Sequence, residues 1–355
     1  MSVSPIPLRF DPQFKEKPWG GRRLAELLHK KLPTGGPIGE SWELVGLAGQ
    51  ESRVRDGPLA GRTLPELLSR WGPGLLDPAR LHSGRFPLLI KFLDAQQSLS
   101  IQVHPKPAGT GAPTPGVKPE AWYVINAEPD AELYIGLKAG VTPAEVTQAA
   151  GTAVIADLLR AWPATAGACY LLPSGTPHAL GAGIVVAEVQ APSDVTYRLY
   201  DWGRTGFDGR PRELHIQPAL ANIRYDVTEA MIRPPVRHVA LPYAHAERLV
   251  ESGAFIIDRL CGVRGPLVIP PGRLRVWIML SGCARVISLM RATPTHIHDG
   301  VLGDEPTAAK PRGTEARRVV YQLELTAGDV VLFPAAARAE VSLDDGTDWL
   351  EVTIP

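Results

Sequence analysis

Cysteine is scarce in this chain of 355 residues: there are only three, Cys169, Cys261 and Cys283, and they lie far apart. An odd number of scattered thiols does not make a disulfide framework and is typical of a protein kept reduced in the cytoplasm. No two of them form a Cys-x-x-Cys pair, which argues against a zinc site built from thiolates. We therefore expect a cytoplasmic protein that does not depend on disulfide bonds.

Long apolar runs and an excess of charge are also lacking. No run of roughly 18 or more apolar residues is present to cross a membrane. Residues 1–9 lack a basic segment followed by an apolar one, so we expect no secretion signal. The 37 basic and 37 acidic residues give a formal net charge of zero. A neutral chain has no electrostatic basis for binding nucleic acid or an anionic membrane, and we expect neither as a partner.

Glycine and proline, by contrast, are abundant, with 35 residues of each. They separate short apolar or alternating segments, which is typical of β-strands joined by tight turns. From residue 86 to 200 such segments recur around two helical pieces, at 142–150 and 154–162. This pattern predicts a β-sandwich of the jelly-roll or cupin type with a small helical insertion at about 140–165. Further helices are predicted at 22–31, at 63–71 and at 212–223, the second with a Thr cap.

The length of the chain exceeds what one hydrophobic core usually supports, which predicts two domains. A second series of strand patterns begins near residue 245. The sequence thus predicts a mainly β protein with two cupin or jelly-roll sandwiches: a catalytic cupin domain at 1–230, and a C-terminal sandwich without a metal site at 231–355. His296 and His298 lie two residues apart in a polar segment without further ligands nearby, so we interpret them as structural or solvated.

The segment 98–105, Ser-Leu-Ser-Ile-Gln-Val-His-Pro, places a metal-ligand pattern on a strand. Since side chains alternate between the two faces of a strand, Gln102 and His104 point to the same side. Glu120 opens another apolar run, and His178 follows a Gly/Pro turn. Each residue alone is more typical of a structural role. Together, two imidazoles, a carboxylate and an amide oxygen form a mixed ligand set that suits zinc with one position left open.

Four segments follow one another along the chain: the strand just described, Lys-Pro-Glu-Ala-Trp-Tyr-Val at 118–124, Pro-Ser-Gly-Thr-Pro-His-Ala-Leu at 173–180 and Glu-Val-Gln-Ala-Pro-Ser-Asp-Val-Thr-Tyr-Arg at 188–198. In this order they resemble the zinc-dependent type I phosphomannose isomerases, the shorter bacterial branch above all. The resemblance runs over residues 10–225.

Two features depart from the family pattern. Lys106 stands where an acidic residue is expected, and a Pro/Gly/Thr-rich run occupies 105–117 in place of a more polar segment. We therefore expect the loop on that side of the pocket to differ from the family.

The resemblance implies an aldose–ketose isomerase that interconverts mannose 6-phosphate and fructose 6-phosphate, a small-molecule sugar phosphate, through an enediol. It also implies one zinc ion per chain, since Gln102, His104, Glu120 and His178 all match ligand positions of the family. In such a reaction a cation stabilises the two substrate oxygens while a base carries a proton between adjacent carbons.

Arg198 and Glu188 match active-site positions of the family. A guanidinium can bind an enediolate or a phosphate through paired hydrogen bonds. A carboxylate such as Glu188 among apolar residues is costly unless it has a partner or a function. The two could instead form an internal ion pair. The group that moves the proton stays open among Glu188, Lys118 and a zinc-bound water.

Ser100, Lys91 and Glu40 match further pocket positions of the family. Hydroxyls and cations are expected where a phosphate binds, and Ser100 shares the ligand face of its strand. Lys91 could equally be a lysine whose stem packs on apolar neighbours while its ammonium reaches solvent. Glu40 could equally be a residue at a strand edge.

Two alternative functions remain. The cupin scaffold hosts many chemistries, so an oxygenase or an epimerase is the alternative enzyme. Gln102 argues against an iron oxygenase, because a fourth protein ligand occupies a position that dioxygen would need. A sugar-sensing protein that binds without turnover is the alternative outside enzymes. The presence of both Glu188 and Arg198 argues against it.

Overall fold

A computed structural model describes residues 4–76, 85–108, 116–291 and 317–355. In these ranges the chain is mainly β, with its strands arranged in four antiparallel sheets. No helix in the described ranges combines the length and the apolar character needed to cross a membrane. His296 and His298 lie outside the described residues.

The strands, in chain order, are β1 (Leu8–Arg9), β2 (Gln13–Gly21), β3 (Ile38–Leu44), β4 (Leu89–Ala95), β5 (Ile101–Val103), β6 (Glu120–Ala127), β7 (Glu132–Leu137), β8 (Leu159–Pro163), β9 (Cys169–Leu172), β10 (His178–Leu180), β11 (Ile184–Gln190), β12 (Tyr197–Tyr200), β13 (Arg237–Ala240), β14 (His245–Glu251), β15 (Ile256–Leu260), β16 (Leu267–Ile269), β17 (Arg275–Ser281), β18 (Cys283–Arg291), β19 (Arg317–Thr326), β20 (Val330–Phe333), β21 (Ala339–Leu343) and β22 (Asp348–Thr353). The helices are α1 (Arg23–Leu28), α2 (Leu64–Trp71), α3 (Pro143–Ala149), α4 (Val154–Asp157), α5 (Ile216–Asn222) and α6 (Glu229–Ile232), with 3-10 turns at Gly57–Leu59 and Gly72–Gly74.

The first sandwich consists of a six-stranded sheet in the order β2-β3-β4-β11-β6-β9 and a five-stranded sheet in the order β12-β5-β10-β7-β8. Large apolar side chains from both sheets pack between them, among them Trp19, Trp122 and Ile135. They alternate along each strand with side chains on the opposite face, as expected of a sandwich. The expectation of a cupin fold is confirmed.

The second sandwich consists of a seven-stranded sheet in the order β1-β20-β17-β22-β15-β14-β13 and a four-stranded sheet in the order β16-β21-β18-β19. Its interior is filled by aromatic residues, among them Trp277, Phe333 and Trp349. Strand β1 joins this sheet, with Leu8 opposite Leu332, although it comes from the beginning of the chain. The domain limits at 1–230 and 231–355 stay a prediction.

A shared apolar core connects the two sandwiches. Phe92 and Ala187 from the six-stranded sheet, Val276 and Val352 from the seven-stranded sheet and Leu24 from α1 belong to one buried cluster. The six-stranded sheet is therefore covered on both faces. This agrees with the nearly continuous apolar sequence of β4, in which every residue is buried.

The predicted helices differ in outcome. Helix α2 has the expected cap, since the Thr63 side chain accepts from the backbone of Glu66 and the Glu66 side chain accepts from the backbone of Thr63. Helix α1 ends early because His29 adopts a left-handed conformation with φ of 51°. The helix predicted at 154–162 is wrong over most of its length. Only the turn α4 forms, and β8 follows because its backbone pairs with β7.

A buried ion pair lies where the sandwiches meet. Lys30 Nζ is 2.7 Å from Glu43 Oε2 and donates to the carbonyl oxygen of Gly328 at 2.7 Å. The Ser41 hydroxyl donates to the other Glu43 oxygen at 2.5 Å. Lys30 and Glu43 are almost fully buried, so each charge depends on its partners.

We expect Lys30→Ala to lower the free energy of unfolding by roughly 3–5 kcal/mol, because the carboxylate of Glu43 would remain buried without its cation. Chemical denaturation followed by tryptophan fluorescence measures the change. Lys31→Ala removes the adjacent lysine, which is exposed, and should leave stability nearly unchanged. Equal effects of the two substitutions would show that the buried pair does not stabilise the junction.

Candidate metal centre and substrate cavity

Elements from both sheets of the first sandwich meet at the predicted metal site. Strand β5 carries Gln102 and leads into His104, and β10 begins at His178. These strands are neighbours, with Gln102 directly opposite His178. Glu120 is the first residue of β6 in the other sheet. The four residues that the sequence predicts as ligands therefore converge between the two sheets.

His104, Glu120 and His178 form a compact buried group whose potential ligand atoms lie within 4.8 Å of one another. Glu120 Oε2 is 3.3 Å from His104 Nε2, and Glu120 Oε1 is 3.3 Å from His178 Nε2. Gln102 Nε2 is 3.2 Å from His178 Nε2. Exchanging the amide nitrogen and oxygen by a half-turn would present Gln102 Oε1 to the same group.

Backbone carbonyl groups orient both imidazoles. His104 Nδ1 lies 2.8 Å from the carbonyl oxygen of Val195, and His178 Nδ1 lies 2.8 Å from that of Thr176. Because a carbonyl only accepts, each Nδ1 must carry the proton, which leaves Nε2 with its lone pair toward Glu120. A metal-binding histidine usually donates its other ring N–H in a hydrogen bond of this kind, which fixes the orientation of the ring.

Electrostatics keep the three side chains in the protonation states that bind metal. Burial, reinforced by Lys118, lowers the pKa of His104 to about 4, and burial also lowers the pKa of His178. Both imidazoles are therefore neutral at pH 7. Burial alone would raise the pKa of Glu120, but Lys118, together with the two histidines in their protonated forms, outweighs it and holds that pKa well below its usual range.

The surroundings of Glu120 fit a metal ion. Both of its carboxylate oxygens are buried without a hydrogen-bond donor in the part of the chain that the structure describes. Lys118 Nζ comes to 3.1 Å from Oε2 as an ion-pair contact and to 3.3 Å from His104 Nε2. A buried carboxylate without hydrogen bonds is costly, and a cation held between it and two imidazole nitrogens removes that cost. Within the described ranges no other group of three such side chains is present.

A cavity of about 190 Å³ adjoins this group, since Gln102 and Lys118 belong to its lining. Five basic and three acidic side chains line it. They are Lys17, Lys91, Lys118, Arg198 and Arg212, and Glu40, Glu188 and Asp194. A surplus of cations in an enclosed space suits an anionic ligand.

Four charged side chains of alternating sign form a row at this cavity, one on each of four adjacent strands. Glu40 on β3 lies 3.1 Å from Lys17 on β2 and 3.7 Å from Lys91 on β4. Lys91 lies in turn 3.5 Å from Glu188 on β11. Burial opposes all of these charges, yet the two lysines lower the pKa of Glu40 to about 2, and Glu40 and Glu188 raise the pKa of Lys91. Glu40 and Lys91 therefore stay ionised, whereas burial raises the pKa of Glu188.

Two indole groups donate hydrogen bonds to the carboxylates of this row. Trp42 Nε1 donates to Glu40 at 2.6 Å, and Trp122 Nε1 donates to Glu188 at 3.0 Å. Lys91 is nearly fully buried, so its ammonium does not reach solvent beyond the cavity. Glu188 forms its ion pair with Lys91 and not with Arg198. The two predicted catalytic residues therefore do not form an ion pair with each other.

The remaining predicted residues lie at the same cavity. The Ser100 hydroxyl donates to Gln102 Oε1 at 3.2 Å. Arg198 on β12 is opposite Gln102 on β5, and its Nε is buried without a partner in the described structure. Two basic residues were missed by the sequence analysis, Lys17 and Arg212. Neither belongs to a motif, and each reaches the cavity from an element far from β5 in sequence.

The fold and this buried group define the class: a cupin-type protein with a candidate metal centre beside a cationic cavity. Residues 8–146 match the sequence profile described as phosphomannose isomerase type I, catalytic domain. The mannose-6-phosphate isomerase ManA of Bacillus subtilis is 36% identical over 255 residues, which cover 71% of this chain and 78% of that protein. The chain belongs to the type I phosphomannose isomerase family.

Solved structures agree with this assignment. The crystal structure of the mannose 6-phosphate isomerase from Bacillus subtilis superposes with a TM-score of 0.78 at 25% identity, covering 98% of this chain and 99% of that one. The structure of a putative mannosephosphate isomerase from Archaeoglobus fulgidus shares the fold, with a TM-score of 0.68 at 20% identity over 99% of this chain and 98% of that one.

We expect His104→Ala and His178→Ala each to reduce the metal content of the purified protein sharply, because each removes a buried neutral ligand. Elemental analysis after gentle purification measures the metal-to-chain ratio. His245→Ala, which changes an exposed histidine on β14, should keep the wild-type ratio. Full occupancy in either of the first two variants would exclude that histidine as a ligand.

Proposed function

We propose that this chain is a zinc-dependent mannose-6-phosphate isomerase that interconverts mannose 6-phosphate and fructose 6-phosphate through an enediol. The observation that supports it most is the buried His104–Glu120–His178 group beside a cavity with surplus positive charge. The activity named for the curated relatives supports the choice of substrate. The three cysteines form no disulfide, which supports a reducing compartment such as the cytoplasm.

Gln102, His104, Glu120 and His178 would hold one zinc ion per chain. Bound there, zinc supplies Lewis acidity toward the substrate oxygens without redox chemistry. The residues suit this metal because two imidazoles, a carboxylate and an amide oxygen are ligands that zinc accepts. The carbonyl groups behind the two imidazoles keep Nε2 deprotonated and in place.

Arg198 would stabilise the negative charge that develops on the substrate oxygens. It lines the cavity, and no carboxylate forms an ion pair with it among the described residues. Burial, together with the nearby Arg212, lowers its pKa, but a guanidinium remains protonated in proteins. A charged donor with free hydrogen-bonding capacity in an enclosed site is suited to an oxyanion.

The proton that moves between adjacent substrate carbons would be carried by Glu188 or Lys118, both of which line the cavity. Burial raises the pKa of Glu188, and the charge of Glu120 adds to this effect. A raised pKa makes a carboxylate a stronger base toward a substrate proton. Lys91 and the Trp122 indole hold this carboxyl in position.

Ser100, Lys91 and Glu40 would bind the substrate. The Ser100 hydroxyl is next to Gln102 and so lies at the metal end of the cavity. Glu40 can accept from sugar hydroxyls, since carboxylate oxygens take several hydrogen bonds. Lys91 lies between Glu40 and Glu188, pairs with both carboxylates, and helps to keep Glu40 ionised near the sugar.

An assay coupled to fructose 6-phosphate consumption tests the proposal. We expect the purified protein to form fructose 6-phosphate from mannose 6-phosphate, to lose activity and zinc together on chelation, and to regain both when zinc is added. Binding of mannose 6-phosphate without product would instead identify a sugar-sensing protein. No binding and no turnover by metal-loaded protein would favour a cupin enzyme of other chemistry.

Arg198→Ala should lower kcat by about 10²–10³-fold with zinc content unchanged, because one charged donor to the developing oxyanion is lost. Steady-state kinetics with mannose 6-phosphate measures the change, and kcat/KM should fall in parallel. Arg198→Lys should recover only part of the rate, since an ammonium lacks the paired geometry. A raised KM with intact kcat would make Arg198 a phosphate ligand, and wild-type constants would remove it from the site.

A further inference from the structure

We propose that Arg212, held in place by Asp201, binds the phosphate group of the substrate at the end of the cavity formed by Arg198. This inference rests on the proposed function, because it assigns the phosphate of that same substrate. The sequence motifs do not include Arg212, which belongs to the segment that follows β12.

A buried carboxylate fixes the guanidinium of Arg212. Arg212 Nε donates to Asp201 Oδ2 at 2.6 Å, and Nη2 donates to Asp201 Oδ1 at 2.5 Å. Asp201 is only 5% exposed. A bidentate pair of this kind sets the plane of the guanidinium. No hydrogen bond to another described residue uses Nη1 of Arg212, which therefore remains available to a ligand in the cavity that Arg212 lines.

Two like charges meet at this end of the cavity. Arg198 and Arg212 are close enough that Arg212 contributes to lowering the pKa of Arg198. Arg198 Nε is buried without a hydrogen-bond partner among the described residues, and Asp201, a carboxylate close to the pair, is already bonded to Arg212 and Arg204. Repulsion between two partly desolvated guanidinium groups is costly, and a phosphate bound to Arg212 beside Arg198 reduces that cost.

The rest of the lining agrees with a dianion at this position. Its five basic and three acidic side chains leave two positive charges in surplus, and a phosphate monoester carries about two negative charges at pH 7. The side chain of Thr196, two residues before Arg198, also lines the cavity and offers a hydroxyl donor. Arginine, with its planar fork of donors, is well suited to phosphate oxygens.

The chain contains a matched control for this role. Arg204 binds the same carboxylate, with Nε 3.1 Å and Nη2 2.8 Å from Asp201 Oδ1, but it does not line the cavity. Its side chain is 12% exposed, compared with 20% for Arg212. If the segment between β12 and α5 matters only structurally, loss of either arginine should have a similar effect. If Arg212 binds phosphate, only its loss should weaken binding of the phosphorylated ligand.

The experiment compares wild type, Arg212→Ala and Arg204→Ala as full-length, zinc-loaded proteins. Kinetics with mannose 6-phosphate gives kcat and KM, and calorimetry with glucitol 6-phosphate, which has no carbonyl group, gives a binding constant independent of turnover. We expect Arg212→Ala to raise KM and the Kd for glucitol 6-phosphate by about tenfold to a hundredfold, the value of one hydrogen bond between charged groups. Its kcat should change far less, and Arg204→Ala should stay close to wild type.

Inhibition by unphosphorylated mannose separates phosphate recognition from general damage, because it should be the same in wild type and Arg212→Ala. If Arg212→Ala does not fold, Arg212→Lys replaces it, and we expect a smaller rise in both constants, since one ammonium cannot bind Asp201 in bidentate fashion. An unchanged Kd, a fall in kcat alone, or equal losses in the Arg204 and Arg212 variants would overturn the inference. If the wild-type protein binds glucitol 6-phosphate but does not isomerise mannose 6-phosphate, the proposed function is refuted, whereas the phosphate-binding role of Arg212 is not.

Discussion

Pairing of opposite charges across neighbouring strands is what allows so many ionised side chains to lie between two sheets. Along β2, β3, β4 and β11 the signs alternate from Lys17 to Glu40, Lys91 and Glu188, so each buried charge has a compensating partner about one strand spacing away. The backbone hydrogen bonds of the sheet fix these separations. Glu120 continues the pattern on β6 toward Lys118 and the two imidazoles, but its oxygens lack hydrogen-bond donors. Compensation is least complete at the metal group, where both Glu120 oxygens lack a donor among the described residues, compared with one oxygen of Glu188.

The sequence could predict the parts of the site that depend on local geometry. Alternation along a strand puts Gln102 and His104 on one face whatever the rest of the fold does, and the cupin sandwich follows from many short strands separated by glycine and proline. Contacts between elements that lie far apart in the sequence could not be predicted from it. Lys17 reaches the cavity because β2 joins the six-stranded sheet, and Arg212 reaches it because Asp201 binds its guanidinium. The helix predicted at 154–162 is wrong for the same reason, because pairing of β8 with β7 outweighs local helix propensity.

The second sandwich shows how a similar interior avoids the need for a metal ion. Its buried carboxylate, Glu351, accepts from Trp277 Nε1 at 2.7 Å and from the Tyr243 hydroxyl, and Arg275 Nε lies 3.5 Å away. Trp277 also packs against Trp349 with ring centroids 4.8 Å apart. An indole and a phenol donor, with a guanidinium in ion-pair contact, thus occupy the surroundings that imidazoles provide at Glu120. The contrast explains in chemical terms why the described part of this sandwich offers no comparable metal group.

The position of β1 has a consequence for biosynthesis. Leu8 and Arg9 are made well before their partners on β20, Leu332 and Val331, which follow about 320 residues later. At typical elongation rates of about 5–20 residues per second, the interval is roughly 15–65 s. Until β20 and β22 are made, the apolar face that the six-stranded sheet presents to the second sandwich is only partly covered. Synthesis of the second sandwich, and not of the first alone, is therefore the event that closes the shared core.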